Sequence, residues 1–376
     1  MADILVGTCS WTDPALVASG WYPADCRDPA GRLRYYASRL PVVEVDSTYY
    51  GLPSTRNSAL WAGRTPGGFV FDVKAFAPLT GHMTRAGSLP KDLRPAGPPQ
   101  RPVPASALPP DVLDELWSRY LGALRPLADA GRLGALLFQY PPWFGPGPGA
   151  EEQLVRCRER TAGLRVAVEF RHRDWLAPGN LERTTGFLRE RDMALVAVDT
   201  AQGLRTSMPP VAVATSPALS VLRFHGRSPA WSSGGKEDRY RHRYAPGELA
   251  SWVPRVRTLA RHSAEVHVLF NNCCGDAAVR AAEMMTDLLE EAGLSPRPGL
   301  STGPRASSVP TQLSLPAEQG PEEAGPGPGA GAGSDPGVGS GTSAGAGSGA
   351  GYGADARSGP DARSRPDARR ASGGPR

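Results

Sequence analysis

The chain has 376 residues, a net charge of +5 and a 40% hydrophobic composition. That is enough for a large core in one domain or two, and too mild a charge to demand a polyanionic partner. The 45 glycines and 39 prolines exceed ordinary usage, so part of the chain is expected not to pack. The five cysteines, Cys9, Cys26, Cys157, Cys273 and Cys274, show no CxxC or Cys/His spacing. They read as reduced thiols of a cytoplasmic protein, with no disulfide partner expected. The opening MADILVGTCSW has neither the basic start nor the apolar run of a signal peptide, and no stretch approaches the ~18 apolar residues of a membrane span, so no membrane partner is expected.

Eight short apolar runs follow one another, at residues 4–7, 42–46, 69–74, 134–139, 166–169, 194–198, 219–224 and 265–270. Each is bounded by polar or turn residues, and several are rich in valine, as strands of a parallel sheet covered on both faces are. Helix-like segments separate most of them. In PPDVLDELWSRYLGALRPLADAG, Val112, Leu113, Leu116, Tyr120, Leu124 and Leu127 recur at helical spacing. PGELASWVPRVRTLARH and DAAVRAAEMMTDLLEEAG behave similarly, the latter with Asp276 as N-cap. Between Val198 and Leu219 no long helix is predicted. Repeated strand–helix alternation implies an α/β fold, a single (β/α)₈ TIM-barrel-like domain over residues 4–293. An open doubly wound sheet is disfavoured, because VGTCSW carries no glycine-rich phosphate loop.

Two stretches break the alternation. From Gly81 to Pro110 lie eight prolines, so neither helix nor central strand fits, and a long loop over a binding site is expected. Residues 295–376, rich in Gly, Pro, Ala, Ser and Arg, have little to bury and are predicted to form a disordered tail. From Ser301 onward the tail holds seven arginines and seven acids, unlike a basic nucleic-acid-binding arm.

The C-terminal ends of the predicted strands are polar where their starts are not. VAVEFRHRDW, residues 166–175, is the plainest case. Reactive groups of a TIM barrel sit at these ends, so in a closed barrel they meet at one mouth. Glu169 and Arg171, two apart, share a strand face as proton acceptor and anion clamp, or as a structural ion pair. Glu44 and Asp46 share another face; paired carboxylates can shift one pKa into a useful range, unless Arg223 or Lys74 neutralises them. His225, flanked by Arg223 and Arg227, is expected to stay neutral. His267, in mid-strand, reads as packing. Glu44, Glu169, Asp199 and His225 form a conceivable ligand set for a divalent metal, but no HxH or HExxH spacing supports it and the arginines favour charge clamps. The cofactor is therefore unknown, with a divalent metal not favoured and no metal ligand assigned. Trp11, Tyr49, Tyr50, Tyr140, Trp143, Trp175 and Trp231 recur at the same end, where they either stack on a sugar or base or fill the βα loops.

The stretches VGTCSW, GWYP, YYASRLPVVEVDSTYYGLPS, FVFDVKAF, LLFQYPPWF, VEFRHRDW, LRFHGR and LFNNCCGDAAVRAAEMM together resemble the domain-of-unknown-function 72 family, also called YecE-like. The resemblance implies a TIM barrel and supplies no reaction. By motif, it marks Glu44, Thr48, Lys74, Gln139, Glu169, Arg171, Asp199, Arg223, His225, Asn271 and Asn272 as the positions that matter. Ala281, where the family carries asparagine, and the Pro-rich excursion depart from the pattern. The expectation is an enzyme of hydrolase or isomerase class acting on a small anionic, phosphorylated or carbohydrate-like molecule. Glu44, Glu169 and His225 would be catalytic. Arg171, Arg223 and Lys74 would clamp the anion; Asn271, Asn272 and Gln139 would orient hydroxyls; Thr48 and Asp199 would complete the substrate site. The alternatives are a nucleic-acid-binding or phosphodiester-cleaving barrel, and a non-catalytic scaffold that works through the tail.

Overall fold

A computed structural model describes residues 2–300 apart from Arg205, residues 232–234 and Cys273. The expected tail from residue 301 onward, and Cys273 of the vicinal cysteine pair, lie outside the described residues. Eight parallel strands close into a barrel: β1 (Asp3–Thr8), β2 (Val42–Val45), β3 (Val70–Lys74), β4 (Leu133–Gln139), β5 (Val166–Glu169), β6 (Met193–Asp199), β7 (Leu219–Phe224) and β8 (Glu265–Phe270). Each strand pairs with the next in sequence, and β8 returns to pair with β1 from Asp3↔Glu265 to Thr8↔Phe270. Every residue of β2, β3, β5, β6 and β7 is buried. Side chains alternate between the barrel interior and the helix layer, so both faces are apolar and the strands read as unbroken runs.

The covering helices are α1 (Pro29–Arg39), α2 (Thr55–Arg64), α3 (Pro110–Asp129), α4 (Pro148–Arg160), α5 (Leu181–Glu190), α6 (Val253–His262) and α7 (Ala277–Glu291). Local chemistry sets their starts. The Asp28 carboxylate accepts from the amides of Ala30 and Gly31, Pro29 opens α1, and Ser54 caps α2 through Asn57 N–H. Asp276 does stand at the N-cap of α7, but its carboxylate caps nothing. It accepts instead from Arg243 (2.9 Å) and Arg280 (3.2 Å). The segment expected as one helix before β8 is two, Pro246–Ala250 and α6, with Pro254 in the first turn of α6 where no amide is needed. Between β6 and β7 the described residues form no helix, and the Thr215 hydroxyl ties this link to β6 by donating to Met193 O and accepting from Leu195 N, both at 2.7 Å.

The Pro-rich excursion is packed. A two-stranded antiparallel ladder, Thr84–Arg85 against Pro102–Val103, joins its ends. Ala86, Leu89 and Val103 are buried, and Arg119 of α3 donates to Asp92. After α7 the chain stays on the body: Arg297 N donates to Ile4 O and Leu300 N to Ala37 O, each at 2.7 Å. These residues lie beyond the change of composition at 295, yet are packed. Ala281 is buried in α7, which packs on β1.

The lower barrel interior holds a charge. His267 places Nδ1 2.8 Å from Asp72 and Nε2 3.0 Å from Glu265, and Arg165 donates to Glu265 at 2.7 Å. The other Asp72 oxygen accepts from Ala135 N at 2.7 Å. Gly134 makes room for that carboxylate, since a Cβ there would lie 2.2 Å from Asp72 Oδ1. Burial opposes the imidazolium, but Asp72 and Glu265 outweigh it and lift His267 to about 9. The mid-strand histidine is therefore a buried cation and not mere packing.

Candidate active site at the barrel mouth

The alternation of β7 sends Arg223 inward and Leu222 and Phe224 outward, with Val198 of β6 and Leu269 of β8 beside Arg223 in register. Its guanidinium is sealed from solvent. It reaches across the barrel to Glu44 of β2, with Nε donating to Oε2 at 2.8 Å and Nη2 to Oε1 at 2.7 Å. Nη1 donates to Glu169 Oε2 on β5 and to Gln139 Oε1 at 3.4 Å. Cys9, at the end of β1, adds its thiol 3.3 Å from Glu44 Oε2. A buried cation between two buried carboxylates is costly to assemble and costlier to break. Burial raises the Glu44 carboxyl above its ordinary range, against the pull of Arg223 and with the push of Asp46. At Glu169 burial works the same way, but Arg171, Arg223 and His225 overcome it and hold the carboxyl well below its ordinary range.

A second layer lies on Glu169. Arg171 Nε is 2.6 Å from Glu169 Oε1, and His225 Nε2 is 3.2 Å from the same oxygen. His225 is also met on both ring nitrogens, by Asn271 Nδ2 3.0 Å from Nδ1 and by Arg171 Nη2 3.3 Å from Nε2. Burial and Arg171 pull His225 down to about 3 against the opposite influence of Glu169, so the ring is neutral, as its arginine flanks led one to expect. Gln139 Oε1 sits between two guanidiniums, 3.4 Å from Arg223 and 3.5 Å from Arg171.

The two cations and two carboxylates divide as follows. Arg223 takes Glu44; Lys74 takes Asp46, with Nζ 2.7 Å from Oδ1 and 4.6 Å over the Tyr49 ring. Around these charges stands an aromatic rim. Arg171 lies 5.6 Å over the Trp231 ring, and Trp231 meets Tyr240 edge-on at 5.8 Å. Tyr49 meets His82 at 5.3 Å, and His82 meets Trp143 at 5.8 Å. Burial, Lys74 and Arg171 bring His82 down to about 3, so it too is neutral. Tyr50 and Trp143 are exposed.

Not every marked position faces the mouth. Asp199 pairs in register with the outward-facing Phe224, and its carboxylate enters the helix layer. There it accepts from Trp252 Nε1 (3.0 Å), Tyr244 Oη (2.7 Å) and Arg227 Nη2 (2.7 Å). The Thr48 hydroxyl is spent on the carbonyls of Val45 and Lys74, at 2.8 and 2.6 Å. Asn272 is buried and donates to His242 O at 2.9 Å. Trp11 packs against Trp61 and Phe71, while Tyr140, Phe144, Trp175 and Phe170 form one stack in the loop layer. The four-residue metal set is therefore not assembled, and among the described residues no three His, Cys, Asp or Glu side chains are placed to hold a metal ion. Cys9, His82 and Tyr240 join the mouth without having been singled out as site residues. Cys9 could have been found from its place one step past β1, but His82 lies on an irregular link and Tyr240 ends a five-residue helix, Lys236–Tyr240, too short to carry a periodic signal.

A closed parallel barrel with ionised groups gathered under its C-terminal mouth defines the TIM-barrel class. The chain belongs to the family described as protein of unknown function DUF72, which it matches over residues 5–305. It is 31% identical over 302 residues to the UPF0759 protein YunF of Bacillus subtilis (strain 168), covering 78% of this chain and 98% of that one. A crystal structure of a DUF72 family protein from Thermotoga maritima MSB8 superposes with a TM-score of 0.62 at 27% identity, over 77% of this chain and 99% of that one. One from Enterococcus faecalis V583 gives 0.61 at 25% identity, over 77% and 98%. Among the described residues no helix is long and apolar enough to cross a membrane.

Proposed function

We propose that the mouth binds a small anionic compound, phosphorylated or carbohydrate-like, and that the protein acts on it as a hydrolase or isomerase. The observation that carries this reading is the setting of Arg171. Its guanidinium is braced by Glu169, Gln139 and His225 and lies over Trp231. A preorganised guanidinium edge with an indole beside it suits an oxyanion attached to a flat or sugar-like body. Lys74 supplies a second cation, balanced by Asp46. The Glu169–His225–Asn271 chain sets a neutral imidazole beside an ionised carboxylate, an arrangement suited to passing a proton to or from a bound hydroxyl. In this reading Glu44 serves as the counter-charge of Arg223, beneath the reacting groups.

The test is calorimetric titration with inorganic phosphate and ribose 5-phosphate. Wild type is expected to bind both, and Arg171→Gln to lose at least tenfold in affinity while keeping a cooperative melt. Failure of wild type to bind either compound, or equal binding by the variant, sinks the reading. A second reading, nucleic-acid binding or phosphodiester cleavage, draws on the exposed rings of Tyr50 and Trp143, which could stack on bases. It requires an affinity for single- or double-stranded DNA or RNA that falls steeply with salt.

A further inference from the structure

A cleft of about 420 Å³ opens beside the mouth, between the Pro-rich excursion and the helices α3 and α4. It is lined by Leu79 and Met83, by Leu113 and Trp117 of α3, and by Trp143 of the loop after β4. The walls are mainly apolar, and the volume lies in the range of small-molecule sites. Met83 and Trp143 are 54% and 66% exposed there, unusual for side chains of their size.

Two features define what would fit. The cleft carries no unbalanced charge. Arg156 lies 3.5 Å from Glu152, and Arg160 pairs with Asp114 while covering the Trp117 ring at 5.7 Å. Burial pushes the Cys157 thiol up to about 12, so it adds no anion. Side-chain contacts also link the edge of the cleft to the mouth. The same Trp143 ring that borders it contacts His82, and His82 contacts Tyr49, over which the Lys74 ammonium lies.

We propose that this cleft is a binding subsite for an uncharged flat group, an aromatic or heteroaromatic ring, carried by the same ligand whose anionic end lies at Arg171 and Lys74. The inference rests on the mouth reading given above for its second half. It narrows the substrate class from any small anion to an aryl- or base-bearing phosphate or related acid. Indole and leucine walls give such a ring dispersion and desolvation, and the balanced arginines make a charged occupant no better than a neutral one.

Three probes separate the two halves in calorimetric titrations: inorganic phosphate, 2-naphthol and 1-naphthyl phosphate. Trp143 is exposed and Ser106 lines the cleft at an exposed position, so Trp143→Ala and Ser106→Trp are expected to fold. Wild type should bind 1-naphthyl phosphate at least tenfold more tightly than phosphate, and should bind 2-naphthol. Both substitutions should remove the tenfold gain and the 2-naphthol binding. A gain that survives both variants, or no gain and no 2-naphthol binding in wild type, overturns the cleft whether or not phosphate binds. If 2-naphthol binds in a Trp143-dependent way while phosphate does not bind, the cleft stands as a ring subsite and the mouth reading falls.

Discussion

Arg223 and Glu44 face each other across the barrel interior, from β7 to β2, through two hydrogen bonds of 2.8 and 2.7 Å, and neither side chain meets solvent. With Glu169 on its other edge, the guanidinium is the common counter-charge of two buried carboxylates. Arg223→Met should therefore cost about 3–5 kcal/mol, because it strands Glu44 and leaves Glu169 with Arg171 as its remaining cation. Adding Glu44→Gln to that variant should restore part of the loss. Urea denaturation of the two variants decides it: a single substitution costing under about 1 kcal/mol would show that the network is not load-carrying for the fold.

Alkaline pH should loosen the barrel through His267. Its folded-state pKa, about 9, lies above the ordinary 6.5, because Asp72 and Glu265 favour the imidazolium. The stabilisation is therefore complete below pH 6.5 and is lost as the pH rises through 9. Glu265 behaves in the opposite sense. Hydrogen bonding to His267 is the leading cause that lowers it to about 2, so its contribution holds above pH 4.5 and fades as the pH falls toward 2. Replacing His267 with Gln should flatten the stability profile between pH 6.5 and 9, measured as urea midpoints. An unchanged slope there would remove the buried cation.

Acid should act through the mouth. His225 and His82 both titrate near 3 in the folded chain and near 6.5 when unfolded. Between those values the unfolded state binds more protons, so stability falls as the pH drops from 6.5 toward 3. Nitrogen NMR should show His225 as a neutral ring at pH 5, and His225→Gln should shallow the acid limb. An imidazolium signal at pH 5 would contradict the assignment.

Asp199 provides a control within the family motifs. Its carboxylate holds Trp252, Tyr244 and Arg227 in the helix layer, away from the mouth. Asp199→Asn should cost about 1–3 kcal/mol, the loss of charge-assisted hydrogen bonds to buried partners. Phosphate affinity should stay within about twofold, since no group at the mouth is touched. A large fall in affinity at unchanged stability would return Asp199 to the site.

The chain itself announces its eight strands. Residues 166–169, 219–224 and 265–270 are strands at those bounds, and the other five differ by a residue or so at either end. Strands covered on both faces must be apolar throughout, and that pattern is local, so it can be read without coordinates. The polar tips are local as well, and Glu44, Lys74, Gln139, Glu169, Arg171, Arg223, His225 and Asn271 do converge.

Only the closed barrel decided how they pair. A side chain at a strand tip points into the mouth or into the helix layer according to a single step of register, which sent Arg223 inward and Asp199 outward on neighbouring strands. Arg223 and Glu44 lie 179 residues apart in the chain, and Asp72 and His267 lie 195 apart. Such partners are chosen by closure of the sheet, where each buried charge takes the nearest opposite charge that desolvation leaves available. Sequence thus determined the ring and its polar rim; tertiary structure alone determined which charges neutralise one another.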